Sequence, residues 1–137
     1  MLRPLVADAS ALAEYILGTD GATSIGEMVE DPGVDVHAPA LCDVEMVAAL
    51  RRGMLHGSIR PRRASQALAD YLDLAITRHD HGSLLGRALA LRANFSAYDA
   101  MYVALAEQLG AALVTADVHL ARATRRHTEI EVLTPTG

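Results

Sequence analysis

Leu5-Val6-Ala7-Asp8-Ala9-Ser10 begins as a strand and ends as a helix. Three apolar residues bounded by a polar one read as a short buried strand. Asp8 stands where that strand stops, and Ser10 is placed to cap a helix over Ala11 to Leu17, which Gly18 ends. The same grammar returns late in the chain. Gly110 closes a helix, Ala111 to Thr115 reads as a second buried strand, and Asp117 stands just beyond it, before a short helix through Arg125. Two buried strands that each close on an aspartate and feed a helix predict a parallel sheet whose carboxyl ends carry function.

The segments between them keep the alternation. Ala22 to Val29 reads as a short helix and Asp31-Pro32-Gly33 as a turn, followed by a strand over Val34 to His37. Pro39 stands where a helix would begin. Val44, Val47, Ala48 and Met54 mark an apolar stripe at helical spacing, with Gly57 as the stop. Pro61 opens another helix with Leu68, Leu72 and Ala75 facing inward, and Leu74 to Thr77 forms a strand at its end. His79-Asp80-His81-Gly82 is a polar break. Leu84 to Ala93 is helical, with Leu85, Leu89 and Arg92 at matching spacing. Ser96 to Leu109 carries the strongest helical pattern, with Tyr98, Met101, Tyr102, Leu105 and Leu109 on one face. Glu131 to Leu133 is the last strand. The expected fold is α/β, a parallel sheet with helices on both faces, in one domain spanning residues 1–137.

Bulk properties narrow the function. A chain of 137 residues with 51% hydrophobic content is one domain with a sizeable core. No apolar stretch approaches a membrane span, and the N-terminus does not resemble a signal peptide. The single cysteine, Cys42, reads as core packing and fits a reducing cytosol. A net charge of -5 argues against coating nucleic acid by bulk attraction. All 12 basic residues are arginine, however, and two groups stand out: Arg51, Arg52, Arg60, Arg62 and Arg63, then Arg122, Arg125 and Arg126. Arginine's planar fork suits phosphate, which makes the Arg51 to Arg63 segment a candidate phosphate contact.

Four acidic residues carry the chemistry: Asp8, Glu45, Asp99 and Asp117. Each lies at a strand end or inside an apolar-periodic helical segment, where an unpartnered carboxylate is costly. Two carboxylates about 4 Å apart repel by roughly 4 kcal/mol at an effective dielectric near 20. A gathering of four implies a compensating cation, and hard oxygen donors suit Mg²⁺ or Mn²⁺. Each acid also has a plain structural reading. Asp8 and Asp117 can cap the helices that follow them, Asp99 completes a capping box with Ser96, and Glu45 can pair with Arg52. Caps and ligands are compatible, because a helix N-terminus favours a carboxylate in either role.

The order of these motifs resembles the PIN-domain nucleases, and especially the VapC-like toxins of toxin–antitoxin pairs. The resemblance rests on Val6-Ala7-Asp8-Ala9-Ser10-Ala11-Leu12, on Pro39 followed by Glu45, on Tyr98-Asp99-Ala100-Met101-Tyr102-Val103-Ala104-Leu105-Ala106, and on Leu113-Val114-Thr115-Ala116-Asp117 with Leu120-Ala121 after it. It implies a five-stranded parallel sheet in a three-layer α/β/α arrangement. It also implies a cytoplasmic metal-dependent endoribonuclease that leaves a 5′-phosphate and a 3′-hydroxyl. Asp8, Glu45, Asp99 and Asp117 map onto the family's acidic site with one or two Mg²⁺ or Mn²⁺ ions, and Ser10 and Thr115 onto supporting hydroxyl positions. A homodimer and a small antitoxin that offers an arginine to the acidic pocket are implied as well.

Three other readings compete. A phosphoacceptor receiver domain shares the α/β plan and a Mg²⁺ pocket, but it needs a lysine and an early acidic pair that this chain lacks. A PIN-like scaffold without chemistry would have had no need to keep all four acids. A histidine-based site at His79 and His81 lacks further ligands, and no phosphate-binding glycine loop is present.

Overall fold

A computed structural model of the protein describes residues 1–136. The chain runs β1 (Arg3–Ala7), α1 (Ala9–Leu17), α2 (Ala22–Val29), β2 (Val34–Pro39), α3 (Leu41–Leu55), α4 (Pro61–Asp73) and β3 (Ile76–His79). A single 3₁₀ turn over Gly82–Leu84 then leads into α5 (Leu85–Ala90), α6 (Ala97–Leu109), β4 (Ala112–Val114), α7 (Val118–His127) and β5 (Val132–Leu133). The five strands form one parallel sheet in the order β3-β2-β1-β4-β5. The expected α/β fold and its parallel sheet are therefore present.

β1 lies at the centre. From it the chain first builds outward through β2 to β3, then returns to add β4 and β5 on the other side. This reversal leaves a crevice beyond the carboxyl ends of β1 and β4, the place where open α/β sheets bind ligands. Right-handed crossovers put α1 to α4 on one face and α5 to α7 on the other. The packing agrees, since α1 lies against α2, α3 and α4 while α5 lies against α6.

Leu5, Val6 and Ala7 of β1 and Leu113 and Val114 of β4 are sealed from solvent. That burial is why their sequence is continuously apolar rather than alternating. α6 is buried on all sides from Ala100 to Ala106 and packs on β1, β2 and β4. Its small residues Ala100, Ala104 and Ala106 let it approach the sheet closely. Gly18 and Gly110 end α1 and α6 in the left-handed conformation, with φ of 69° and 61°, which glycine adopts without steric cost.

The structure corrects several local expectations. Asp8, not Ser10, caps α1: its carboxylate accepts from the Ala11 amide at 2.9 Å. Pro39 closes β2 instead of opening a helix, because it is still in register with His79 of β3. β3 itself begins at Ile76 and takes in His79, and the expected helix over Leu84 to Ala93 divides into the 3₁₀ turn and α5.

The larger correction concerns helix rotation. Val44, Val47 and Met54 of α3 are exposed, while Cys42, Met46 and Leu50 are buried. Leu68 and Leu72 of α4 face outward, and Ala64, Ala67 and Tyr71 face inward. Leu85 and Leu89 of α5 are exposed as well. In α3 and α4 both stripes have helical spacing, so periodicity alone does not select the buried one.

Candidate active site

Asp8, Glu45, Asp99 and Asp117, distant in sequence, line one cavity of about 440 Å³ together with Ser10, beyond the carboxyl ends of β1 and β4. Each arrives by a local device. Asp8 ends β1 and caps α1, Asp117 follows β4 and caps α7, Asp99 sits in the first turn of α6 behind its Ser96 cap, and Glu45 lies in the second turn of α3. The expected caps and the shared cavity thus coexist.

Asp8 is the most constrained of the four. The Asp8 amide donates to the Val114 carbonyl at 3.0 Å, which ties the end of β1 to β4. One carboxylate oxygen accepts from the Ser10 hydroxyl at 2.7 Å and the Ala11 amide at 2.9 Å, and the other accepts from the Thr115 hydroxyl at 2.6 Å. Ser10 and Thr115 each do a second task. The Ala116 amide donates to Ser10 Oγ at 3.0 Å, and the Asp117 amide donates to Thr115 Oγ1 at 3.0 Å. Two hydroxyls therefore connect Asp8 to the backbone that carries Asp117. Burial nevertheless pushes the Asp8 carboxyl up to about 6, against the lowering effect of those hydrogen bonds, and the nearby Asp117 charge adds to the rise.

Asp99 is half-buried, and its carboxyl is also raised, first by burial and then by the charges of Asp117 and Glu45. The acids therefore feel one another. Glu45 accepts a 2.5 Å hydrogen bond from the buried Tyr102 hydroxyl, one turn along α6 from Asp99. Asp117 Oδ1 accepts from the His119 and Leu120 amides at 2.9 and 3.2 Å. Arg52 lines the same cavity, and among the described residues it forms no ion pair with Glu45. Among the described residues, none of the four acids is in an ion pair.

The donor chemistry fits a hard divalent cation. Among the described residues, no three Asp, Glu, His or Cys side chains are already drawn around one point closely enough to hold a metal. The acids share a cavity rather than a finished coordination sphere. That arrangement is compatible with Mg²⁺, which keeps several waters and takes only one or two carboxylates directly.

The histidine alternative finds no support in the geometry. His79 bonds to His37 Nδ1 at 2.8 Å, and His37 in turn bonds to Asp35 at 2.7 Å. His81 instead accepts the Leu41 amide at 2.9 Å, which holds the start of α3. His119 is exposed. Sequence reasoning missed the Tyr102–Glu45 bond. Its only signal was Tyr102 lying three residues beyond Asp99 on one helical face.

Comparison with known proteins follows this geometry. Residues 5–126 match the family described as PIN domain. Ribonuclease VapC12 of Mycobacterium tuberculosis is 34% identical over 129 residues, covering 94% of this chain and 98% of its own length. Ribonuclease VapC9 of the same organism is 39% identical over 116 residues, covering 85% of this chain and 87% of its own. Among solved structures, PAE2754 from Pyrobaculum aerophilum superposes with a TM-score of 0.68 at 23% identity, over 96% of this chain and 83% of that one. VapC20 of M. tuberculosis, described as a sarcin-ricin loop cleaving toxin, gives 0.66 at 17% identity, over 87% and 94%. With a fold, a cavity and full-length relatives in agreement, this chain belongs to the PIN domain family.

Proposed function

We propose that the protein is a metal-dependent endoribonuclease, the toxin of a toxin–antitoxin pair, with Asp8, Glu45, Asp99 and Asp117 as its metal-binding acids. The observation that carries the reading is the meeting of four carboxylates in one cavity, none of them in an ion pair among the described residues. Kinship with VapC ribonucleases over nearly the full length supports ribonuclease chemistry.

One or two Mg²⁺ or Mn²⁺ ions held there supply positive charge against an RNA phosphodiester and acidity to an attacking water. The chain's own residues do the rest. Asp8 and Asp99, the two acids whose charged forms are most disfavoured, gain most from a cation. Glu45 and Asp117 complete the shell directly or through water. Ser10 and Thr115 hold Asp8 in one orientation and link it to the Asp117 backbone. Arg52, at the cavity wall, is placed to meet the phosphate.

Structural relatives include a VapBC2 pair from Rickettsia felis and a toxin–antitoxin complex from Klebsiella pneumoniae, with TM-scores of 0.66 and 0.60. A small antitoxin that brings an arginine to the acidic cavity is the partner that charge complementarity favours, and a homodimer in the cytoplasm completes the reading. No helix among the described residues is long and apolar enough to cross a membrane.

The test is cleavage of total RNA with added Mn²⁺, comparing wild type with Asp99→Asn. The expected result is discrete 5′-phosphate products from wild type alone, with circular dichroism unchanged in the variant. Equal cleavage by both proteins would remove the site assignment.

A further inference from the structure

α3 is held by hydrogen bonds to α4, β3, α6 and the loop after β3. His81 accepts its first amide at Leu41. Tyr71 of α4 donates to Asp43 at 2.6 Å, and Arg78 donates to both Asp43 oxygens at 2.8 and 2.9 Å. Tyr102 of α6 donates to Glu45 at 2.5 Å. In this rotation Cys42, Met46 and Leu50 are buried, and Val44 and Val47 lie in solvent at 66% and 53% exposure. Glu45 then lines the cavity that Asp99 also lines.

We infer that Tyr102 is a positioning residue for the metal site: its buried hydroxyl holds one Glu45 oxygen at the cavity and leaves the other oxygen for the cation or its water shell. The inference rests on the functional reading above. Tyr102 is 2% exposed and Glu45 only partly buried, so the rigid partner is the tyrosine, anchored in the core, and the glutamate is the group being held. Neutral partners that orient a ligating carboxylate typically change metal affinity by about 10- to 100-fold when removed. Tyr71 provides the internal contrast. It grips the same helix two residues earlier, but its acceptor, Asp43, does not line the cavity.

The experiment measures Mn²⁺ affinity calorimetrically in wild type, Tyr102→Phe, Tyr71→Phe, Glu45→Asp and the Tyr102→Phe/Glu45→Asp double variant. Metal-free melting curves and RNA cleavage accompany the titrations. Tyr102→Phe should bind Mn²⁺ about 10-fold more weakly and lower kcat with little change in KM for RNA. Tyr71→Phe should keep wild-type affinity even where it melts earlier. Glu45→Asp shortens the carboxylate away from the tyrosine without touching the core, so it reads the same contact should Tyr102→Phe fold poorly. It should weaken binding by itself, and adding Tyr102→Phe should weaken binding no further. Unchanged affinity in Tyr102→Phe, equal loss in both tyrosine variants, or full additivity in the double variant overturns the inference while the nuclease reading stands. Wild type that binds no Mn²⁺ and cleaves no RNA overturns both.

Discussion

The two ends of the sheet treat charge in opposite ways. At the amino ends of the strands lies the larger cavity, about 980 Å³, whose walls include Arg3, Arg87, Glu107, Arg125 and Glu131. There two pairs of opposite charge meet, Arg3 with Glu131 at 2.8 Å and Arg87 with Glu107 at 2.8 Å, beside Arg125, Arg126 and Glu129, which form no ion pair among the described residues. At the carboxyl ends, four carboxylates share less than half that volume with no such pairing. The contrast sets a larger cavity of mixed charge against a smaller one whose acids share one sign. Matched surface pairs add little and ask for nothing. Clustered acids beside a core raise their own proton affinity and invite a cation.

The largest expected effect breaks the comparison at its acidic end. On the proposed function, Asp8→Asn or Asp99→Asn should lower kcat/KM for RNA cleavage by at least about 100-fold, since each removes a charge from the proposed metal site itself rather than from its surroundings. Arg87→Ala, at the other end, should leave cleavage within about twofold, as a change distant from the reacting groups does. Similar losses from both ends would mean that the acids act only through overall charge.

The second effect concerns stability and has the opposite sign. The Asp8 carboxyl rises from 3.8 to about 6 on folding, which is about 3 kcal/mol against the charged form. A raised carboxyl means the folded state binds the proton more tightly than the unfolded state. The penalty is therefore absent below about pH 3.8, grows as pH rises, and is complete above about pH 6. Without metal, Asp8→Asn should stabilise the protein at pH 7 by about 1–3 kcal/mol, less any hydrogen-bond strength lost to Ser10, Ala11 and Thr115. The gain should vanish near pH 4, and urea unfolding at the two pH values checks it. Millimolar Mn²⁺ should raise the melting temperature of wild type and not that of the variant, as binding to the folded state requires. A variant less stable than wild type at both pH values would show Asp8 to be structural first.

Asp8, Asp99 and Asp117 were legible in the sequence because each is set by short-range rules. A carboxylate after an apolar run caps the next helix, and a capping box with Ser96 marks Asp99. The parallel sheet then gathers what those rules place at strand ends. The rotation of α3, α4 and α5 was not legible. In α3 the stripe with Val44 and Val47 competes with Cys42, Met46 and Leu50. Contacts with residues far along the chain decide between them: Asp43 with Tyr71 and Arg78, Glu45 with Tyr102. In α4 the small Ala64 and Ala67 with Tyr71 lie inward rather than Leu68 and Leu72, because alanine permits close approach and Tyr71 reaches its partner. Pairings separated by tens of residues leave no local pattern. Glu45 was legible as a carboxylate within an apolar-periodic helical segment and again through the resemblance, while the hydroxyl that holds it was not found at all.

The smallest effect separates the causes acting at the two ends. Arg3 and Glu131 are about half exposed, at 52% and 61% of their side chains, so their attraction operates through water. Arg3→Ala should cost no more than about 0.2–1 kcal/mol at low ionic strength. Raising NaCl from about 0.02 to 0.5 M contracts the screening length severalfold and should erase that cost. The Asp8→Asn gain at pH 7 should survive the same change, because its first cause is burial of the carboxylate and only its last is the charge of Asp117. Salt thus distinguishes a Coulombic contribution from a desolvation penalty without further mutation. If salt cancels the Asp8→Asn gain as completely as the Arg3→Ala cost, repulsion among the acids, rather than the dryness around Asp8, sets the proton affinity of the site.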